Sequence, residues 1–212
     1  MTDIIDKFDR LSKGYAAHDY ADPARYTARR ADVALSLGPR LSPGATILDL
    51  ACGDANMAEP ILARGYRYRG VDGSRGMIEE ARSRLGDRVP LDIAPMDEYT
   101  PPEPVDMTLI LRAFYYPPDR QGFLERVGGY TRTKLVFDFD PRAQSRATIE
   151  ADLRAAGFSD IVMRPFFLPQ QVAVPAPLRA LLLALERSGP LARAALRVRG
   201  IWFCAATPPA RT

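Results

Sequence analysis

The stretch ATILDLACGDANMAEPILARGYRYRGVDGSRGMIEEAR, residues 45–82, decides the fold. Its first apolar run, residues 46–50, ends in a turn of small residues, and a helix-like segment follows. A second apolar run, residues 68–71, ends at Asp72. A strand, a small-residue loop, a helix and a second strand with an acid at its tip form one half of a nucleotide-binding sheet. The stretch therefore predicts both an α/β fold and a nucleotide-like ligand.

Two classes of cofactor share this layout. As a dinucleotide fingerprint, the chain offers Gly53, Ala55 and Ala58, with Asp72 downstream for the ribose. The middle glycine of that fingerprint lets a pyrophosphate approach the backbone, and the methyl group of Ala55 would crowd it. S-adenosylmethionine has no pyrophosphate, and its cationic ammonium and sulfonium groups suit the acid Asp49 inside the motif. The residues therefore favour S-adenosylmethionine over a dinucleotide.

The two halves of this stretch, DLACGDA at 49–55 and GVDGSRGMIEEA at 70–81, resemble motifs I and II of the class I S-adenosylmethionine-dependent methyltransferases. The small-molecule branch is the most similar, and the order of later elements continues the resemblance to near the C-terminus. It implies methyl transfer from S-adenosylmethionine to a small organic acceptor. Ala51 and Ala55 stand where the family usually has glycine, a mild change that would weaken cofactor binding. The resemblance also places these motif residues against the cofactor: Ala51, Gly73 and Met77.

Composition and charge bound the class of protein. With 212 residues, 47% of them apolar and 26% charged, the chain has the make-up of one soluble globular domain. A net charge of +3 implies no strong polyanion, so we expect no nucleic-acid partner. The start of the chain lacks an apolar signal core, and no apolar run reaches the roughly 18 residues of a membrane span. We therefore expect a cytoplasmic protein, monomeric or homodimeric, without an integral membrane segment.

Cysteine and histidine usage bears on disulfides and metals. Cys52 and Cys204 fall at predicted buried strand ends, so we expect reduced thiols and no disulfide. The chain has one histidine and no H-x-x-x-H or C-x-x-C spacing. The sequence therefore predicts no metal site.

The chain reads as a single domain, 1–212, in four parts. A helical cap (1–40) starts its main helix at Asp22-Pro23, because proline suits the first helical position. A cofactor-binding core (45–165) alternates strands and helices, as in a parallel sheet covered on both faces. A helical insertion (166–199) and a final strand (200–206) follow. Strands are predicted near 46–50, 67–71, 89–93, 105–111, 133–139, 159–165 and 200–206, and helices near 56–64, 75–85, 119–128 and 144–156.

The family resemblance makes the sheet more specific. It implies a Rossmann-like α/β sheet of seven strands, with helices on both faces and the last strand antiparallel.

The insertion breaks the alternation of strands and helices. Two short amphipathic helices are predicted, near 176–187 and 190–198, the first with a leucine face and the second with an arginine side. In the family this position often holds a substrate-shaping cap. A hairpin that only completes the core is an equal alternative, and contact of the leucine and arginine faces with a membrane surface is a third.

Three residues of the motifs are the principal cofactor candidates. Asp72, at the tip of the second strand, is expected to accept hydrogen bonds from both ribose hydroxyls, or alternatively to serve the start of the next helix. Gly53 offers backbone access to the amino-acid end of the cofactor. Asp49 is expected near the ammonium group, or as an acceptor that fixes the loop.

Further candidates follow the third and fourth strands. The family usually places an acid near the adenine, which points to Asp97; in the alternative alignment Pro95 occupies the acidic position. Met96 is an alternative as a residue that packs on the adenine. Arg112, Phe114 and Tyr115 are predicted to line the junction of cofactor and acceptor, because strand tips face the ligand crevice. The pair Pro117-Pro118 resembles a motif of nucleic-acid and protein-amide N-methyltransferases. The polar residue that holds the target amine there is missing, so we reject that reading.

A general base is harder to assign. His18 has an ordinary pKa suited to proton removal at neutral pH, and N-terminal helices of the family often close over the cofactor, which would also bring Tyr26 to it. Asp138 and Asp140, at the end of the fifth strand, and Tyr115 are the other catalytic candidates. The rival hypothesis is a protein that keeps this fold and its cofactor but has a regulatory or non-methylating role.

Overall fold

The computed structural model describes Ile5, residues 8–10 and residues 21–210. Ile5 and residues 8–10 are helical. Along residues 21–210 the elements are α1 (Pro23–Ser36), β1 (Thr46–Leu50), α2 (Ala58–Leu62), β2 (Arg67–Asp72), α3 (Arg75–Leu85), a 3-10 turn (Gly86–Arg88), β3 (Leu91–Ile93), β4 (Val105–Ile110), α4 (Arg120–Tyr130), β5 (Thr131–Phe139), α5 (Arg146–Ala155), β6 (Ser159–Phe166), α6 (Ala176–Glu186), α7 (Pro190–Ala195) and β7 (Ile201–Thr207).

The strands of this region form one seven-stranded sheet in the order β3-β2-β1-β4-β5-β7-β6. β1 to β5 run parallel to one another, whereas β7 is antiparallel to both β5 and β6. β6 therefore points the same way as β1 to β5, and the carboxyl ends of these strands share one edge of the sheet. The predicted α/β sheet of seven strands with its last strand antiparallel is confirmed.

Helices cover the sheet on both faces because its central strands are apolar on both sides. Ile47 and Leu48, consecutive residues of β1, are fully buried in two different core clusters. The first cluster includes buried residues of α1, α2 and α3, and the second includes buried residues of α4, α5 and α7. A run of apolar residues without alternation is typical of a strand buried on both faces.

Capping and a buried cation hold α1 in place. The Asp22 carboxylate accepts a hydrogen bond from the backbone N–H of Arg25 at 3.1 Å, as the predicted helix start requires. At the other end, the Nζ atom of Lys134 in β5 donates to the carbonyls of Leu35 (2.8 Å) and Leu37 (2.7 Å). Burial lowers the pKa of Lys134 to about 8. α1 is thereby fixed to the centre of the sheet.

The boundaries of some elements differ from the sequence prediction. The helix predicted near 56–64 is only Ala58–Leu62, since Ala55 lies in the left-handed region (φ 55°) and delays its start. The strand predicted near 89–93 is Leu91–Ile93, because Pro90 has no amide hydrogen to donate to β2.

The segment between β6 and β7, residues 167–200, is called the insertion below. It contains α6 and α7, close to the two helices predicted, although α7 ends at Ala195. Since it leaves β6 and returns to β7, it lies at the carboxyl edge of the sheet. Within the described residues, no helix combines the length and apolar character needed to cross a membrane.

Candidate cofactor site

A cleft opens where β1, β2 and β4 end, at the edge where open α/β sheets bind ligands. It encloses ≈ 970 Å³ of space, its open mouth included. The end of β1 and the loop after it line the cleft with Asp49, Ala51, Cys52, Gly53, Asp54, Asn56 and Met57. The end of β2 and the start of α3 add Asp72, Gly73 and Met77, and the segment after β4 adds Leu111, Arg112, Ala113, Tyr115 and Tyr116. The remaining lining residues are Ile5, Phe8, Arg30, Pro95 and Met96.

Left-handed residues alternate along the loop after β1. The φ angle is 57° at Ala51, 57° at Gly53 and 55° at Ala55. This curl brings the backbone N–H of Gly53 to the tip of β2, where it donates to Oδ2 of Asp72 at 2.7 Å. The two alanines carry a steric strain that glycine would not, because their Cβ atoms crowd the backbone in this region.

The methyl group of Ala55 does not face the cleft. Ala55 is completely buried in the core and does not line the cleft, whereas Ala51 does. The expectation that the Ala55 methyl group would crowd a pyrophosphate is therefore wrong, because this methyl group does not reach the cleft. The preference for S-adenosylmethionine rests instead on the two acids of the cleft, Asp49 and Asp72.

Asp72 ends β2 and lines the cleft with its carboxylate. Its Oδ2 accepts from Gly53, and its Oδ1 accepts from the backbone N–H of Ser74 at 2.8 Å. These two bonds occupy two of roughly four acceptor positions of a carboxylate, so positions remain for two ribose hydroxyls. Burial raises the pKa of Asp72, and the two backbone bonds act in the opposite direction. Ser74, not Asp72, caps α3, since its hydroxyl accepts from the N–H of Met77 at 3.1 Å.

Asp49 lies next to the end of β1 and is almost completely buried. The hydroxyl of Tyr68 donates to its Oδ2 at 2.8 Å. Burial raises the pKa of Asp49 to about 7, although the Tyr68 bond and the charge of Arg30 lower it. A carboxylate with so little hydration gains most from a cationic neighbour, so the site suits a ligand ammonium group.

The N-terminal segment covers one side of the cleft. Ile5 packs on Gly73, where a Cβ atom would come within 2.8 Å of the Ile5 Cδ1 atom. The carboxylate of Asp9 accepts from the Ser74 hydroxyl at 2.5 Å and from the N–H of Gly76 at 2.9 Å. The hydrogen bond from Ser74 is the main reason why the pKa of Asp9 is lowered. Glycine at position 73 therefore allows the N-terminal segment to approach the cleft.

The segment after β3 contributes an apolar wall. Met96 and Pro95 line the cleft, which fits the predicted packing of Met96 on an adenine. Asp97 is not a lining residue, and its Oδ1 atom is buried without a hydrogen-bond partner among the described residues. Its contact with adenine stays a prediction.

The segment after β4 forms the opposite wall. Arg112 and Tyr115 line the cleft, as predicted, and Tyr116 lines it as well. The side chain of Tyr115 is 57% exposed, and its hydroxyl lies 3.1 Å from that of Tyr116. Phe114 was predicted to line the cleft and does not, because it is buried and stacked on Phe137 with ring centroids 3.8 Å apart. The wall thus presents two tyrosine rings to whatever enters the cleft.

The two acids at the end of β5 have other partners than a substrate. Asp138 is buried, forms an ion pair with Arg30 and accepts from the backbone N–H of Arg112 at 2.5 Å. Asp140 lies near the surface, and Arg142 binds both of its carboxylate oxygens at 2.8 Å and 2.7 Å. Neither aspartate lines the cleft. Both carboxylates are thus paired within the protein, and their catalytic role stays a prediction.

The predicted N-terminal residues divide between the core and the undescribed part. Tyr26 was predicted to contact the cofactor, but it is buried and packs edge-on against Phe166, with ring centroids 5.7 Å apart. It lines a separate small groove instead of the cleft. His18 lies outside the described residues, so its role as a base stays a prediction.

Sequence reasoning missed several lining residues: Ile5, Phe8, Arg30, Asn56, Met57 and Tyr116. Asn56 and Met57 directly follow the first motif, and this position alone could have indicated them. For Arg30 no signal was available, because Arg29 and Arg30 are adjacent and only the rotation of α1 directs them to different sites. Among the described residues, no cluster of histidine, cysteine or acidic side chains could hold a metal ion.

Fold and cleft together define a class I methyltransferase sheet, with an acid at the tip of β2 and a small-residue loop after β1. Residues 47–133 match the family model of a methyltransferase domain. Residues 47–133 thus resemble a methyltransferase domain, and the fold of the chain is that of S-adenosylmethionine-dependent methyltransferases of known structure.

Individual relatives agree with this assignment. An uncharacterized methyltransferase of Geobacillus kaustophilus (strain HTA426) is 31% identical over 127 residues, which are 56% of this chain and 58% of the relative. The chain therefore spans less than two thirds of the length of this curated relative.

Solved structures share the fold at low identity. A chain from the complex of the Haloferax volcanii Trm112 methyltransferase activator with a methyltransferase superposes with a TM-score of 0.68, at 18% identity, over 99% of this chain and 98% of that chain. Phosphoethanolamine N-methyltransferase 2 of Haemonchus contortus, in complex with S-adenosyl-L-methionine, gives a TM-score of 0.61 at 16% identity, over 86% of this chain and 53% of that chain. At these identities the likeness concerns the fold.

Proposed function

We propose that the protein transfers the methyl group of S-adenosylmethionine to a small organic acceptor that is apolar or aromatic. The observation that carries this proposal is the pairing of two unlike walls in one cleft. One wall has acids with open acceptor positions, Asp72 and Asp49. The other has the exposed ring of Tyr115 and its neighbour Tyr116. A polar, acidic wall suits the cofactor, and an aromatic wall suits a flat or apolar acceptor.

Methyl transfer is an in-line displacement, so the protein has to bind and align two molecules. When bound, the cofactor supplies an activated methyl group: the acceptor's electron pair forms the new bond to carbon, and the electrons of the carbon–sulfur bond return to sulfur. Asp72 would accept from the ribose hydroxyls, Asp49 would face the ammonium group, and Met96 would pack on the adenine. Tyr115 would orient the acceptor, and its hydroxyl stays a candidate for proton transfer.

The cofactor site is tested by substitution of Asp72. Asp72→Ala removes a charged acceptor of ribose hydroxyls and of the loop N–H groups, and hydrogen bonds to charged groups contribute about 1.5–3 kcal/mol each. We expect affinity for S-adenosylhomocysteine to fall at least 100-fold in titration calorimetry, with a smaller loss for Asp72→Asn.

Asp87→Ala, which removes an exposed acid of the neighbouring 3-10 turn, is the matched control and should bind as the unaltered protein does. Equal affinities in Asp72→Ala and the unaltered protein would contradict the assignment of the cleft.

A second candidate is a protein that binds the cofactor without transferring its methyl group. The observation in its favour is the strained loop: alanines at positions 51 and 55 hold left-handed conformations where the family usually has glycine. Incubation of a metabolite extract with isotope-labelled S-adenosylmethionine separates the two. A labelled product supports transfer, whereas tight cofactor binding without product supports the second candidate.

We further propose that the acceptor is a small molecule and not a nucleic acid, and that the protein is a cytoplasmic monomer or homodimer. The near-balanced charge supports the first point. Competition by RNA in the labelling assay tests it, and sedimentation analysis determines the oligomeric state.

A further inference from the structure

The inner side of the insertion is fixed to the core. Glu186, at the end of α6, is buried, and its carboxylate binds Arg29 of α1 at 2.5 Å and the N–H of Phe167 at 3.2 Å. Arg164 of β6 lies 3.8 Å from the same carboxylate. Leu182 and Leu185 pack against the core on this side. A buried acid held by two elements and a backbone donor sets the orientation of α6.

The other side of the insertion is apolar and exposed. Leu178 and Leu181 of α6 are 47% and 64% exposed, and Leu191 and Val198, in and after α7, are 66% and 79% exposed. The other exposed residues of α6 are alanines and a proline, and the arginine of this helix, Arg179, is half-buried. A helix that is apolar on its solvent side has an unpartnered face, since surface helices normally turn polar residues to water. We call this surface, with the arginines that follow it, the insertion face.

The insertion also contains the chain's excess of positive charge. It has five arginines and one acid, Glu186, which is buried, so its formal charge is +4 against −1 for the rest of the chain. Arg193, Arg197 and Arg199 are exposed beside Leu191 and Val198. The partner of this surface must therefore offer apolar volume and negative charge together.

We propose that the insertion face docks on a lipid bilayer that contains anionic lipids. Leucine and valine side chains would enter the boundary of the acyl chains, and the arginines would reach the phosphate groups. A second copy of the chain fits less well, because two faces of charge +4 repel each other. Protein interfaces are enriched in aromatic residues and methionine as well as arginine, and the exposed residues of the insertion include arginines but no aromatic residue or methionine.

The position of this face connects it with the cleft. The insertion leaves β6 and returns to β7 at the carboxyl edge of the sheet, the edge at which the cleft opens. In addition, Arg142, in the loop after β5, donates to the carbonyl of Val198 at 3.1 Å. Docking would therefore bring the site close to the bilayer, where apolar acceptors accumulate.

Vesicle flotation with the full chain tests the proposal. We expect binding to phosphatidylcholine vesicles with 30% phosphatidylglycerol and at least tenfold weaker binding to pure phosphatidylcholine, with a marked loss at high salt. The variant Arg193→Gln/Arg197→Gln/Arg199→Gln should bind roughly 100-fold more weakly, at about fivefold for each arginine. The variant Leu178→Gln/Leu181→Gln should lose about tenfold or more.

Matched controls alter the same residue types elsewhere. Ile93→Gln/Val162→Gln changes two exposed apolar residues, and Arg67→Gln/Arg126→Gln/Arg154→Gln changes three exposed arginines. Both should bind vesicles within threefold of the unaltered protein, and thermal melting should show all variants folded.

Three outcomes would overturn the proposal. The first is no flotation with anionic vesicles, and the second is equal flotation of the leucine variant and its control. The third is a concentration-dependent dimer that the leucine variant abolishes. Calorimetry with S-adenosylhomocysteine reports on the cleft separately, so failure here leaves the proposed function untouched.

Discussion

Asp49 and Asp138 are two buried aspartates at the same edge of one sheet, and they behave in opposite ways. Asp49 lies beside the end of β1 with the Tyr68 hydroxyl as hydrogen-bond donor, and burial raises its pKa to about 7. Asp138 lies near the end of β5, paired with Arg30 and bonded to the N–H of Arg112. The carboxylate of Asp49 is available to a ligand in the cleft, whereas the carboxylate of Asp138 is paired with groups of the protein itself.

The difference teaches how the two sides of the cleft are built. On the cofactor side, acids line the cleft and keep acceptor positions open for a ligand. This arrangement lowers the stability of the ligand-free protein. On the acceptor side, Asp138 stabilises the segment after β4, where Arg112 has a left-handed φ of 62°. The Asp138 carboxylate accepts from the N–H of Arg112, and the ion pair with Arg30 holds that carboxylate in place. These two contacts stabilise the unfavourable backbone conformation of Arg112.

We expect the largest loss of stability from Asp138→Ala. The substitution removes the carboxylate that faces Arg30, and removal of one partner from a buried ion pair typically costs about 3–5 kcal/mol of unfolding free energy. Urea unfolding, followed by circular dichroism, measures this loss.

Asp140→Ala provides the control for Asp138→Ala. It removes an acid two residues later, whose partner Arg142 is half-exposed, and should cost less than about 1 kcal/mol. Equal losses in the two variants would show that Asp138 is not a structural centre of the acceptor side.

Asp49→Asn, in contrast, should stabilise the protein at neutral and higher pH. A carboxyl whose pKa is raised from 3.8 to about 7 contributes stability that is fully present below about pH 4 and is lost as the pH rises towards 7. An asparagine at this position avoids the charge and can still accept from Tyr68. We expect the variant, without cofactor, to be more stable by about 2–4 kcal/mol at pH 8 and nearly unchanged at pH 4.

The raised pKa of Asp49 should also make cofactor binding depend on pH. A ligand ammonium group favours the ionised carboxylate, so affinity for S-adenosylmethionine should fall by up to about tenfold per pH unit below pH 7. Asp49→Asn should bind at least tenfold more weakly at pH 8 and lose most of this pH dependence. Calorimetry at pH 6 and pH 8 measures both effects, and an unchanged slope in the variant would assign the titration to another group.

The sequence predicted the fold and the cofactor side well, because both depend on local patterns. Apolar runs, small-residue turns and acids at strand tips placed Asp49, Gly53 and Asp72 correctly beside the cleft. The acceptor side depends on which side chains pair with each other over long separations. Asp138 and Arg30 are 108 positions apart, and no local pattern announces that they form a pair.

We expect the smallest change in stability from substitutions at Ala51 and Ala55. The sequence showed that these residues depart from the usual glycine, but not whether the departure raises or lowers stability. Ala51→Gly relieves a left-handed alanine at a cost in chain entropy, and we expect a gain of about 0.5–1 kcal/mol, or 2–4 °C in melting temperature at most. Ala55→Gly relieves the same strain but removes a fully buried methyl group worth about 0.8 kcal/mol, so its stability should hardly change. A larger gain for Ala55→Gly than for Ala51→Gly, measured by thermal unfolding, would mean that the Ala55 methyl group does not pack as the structure indicates.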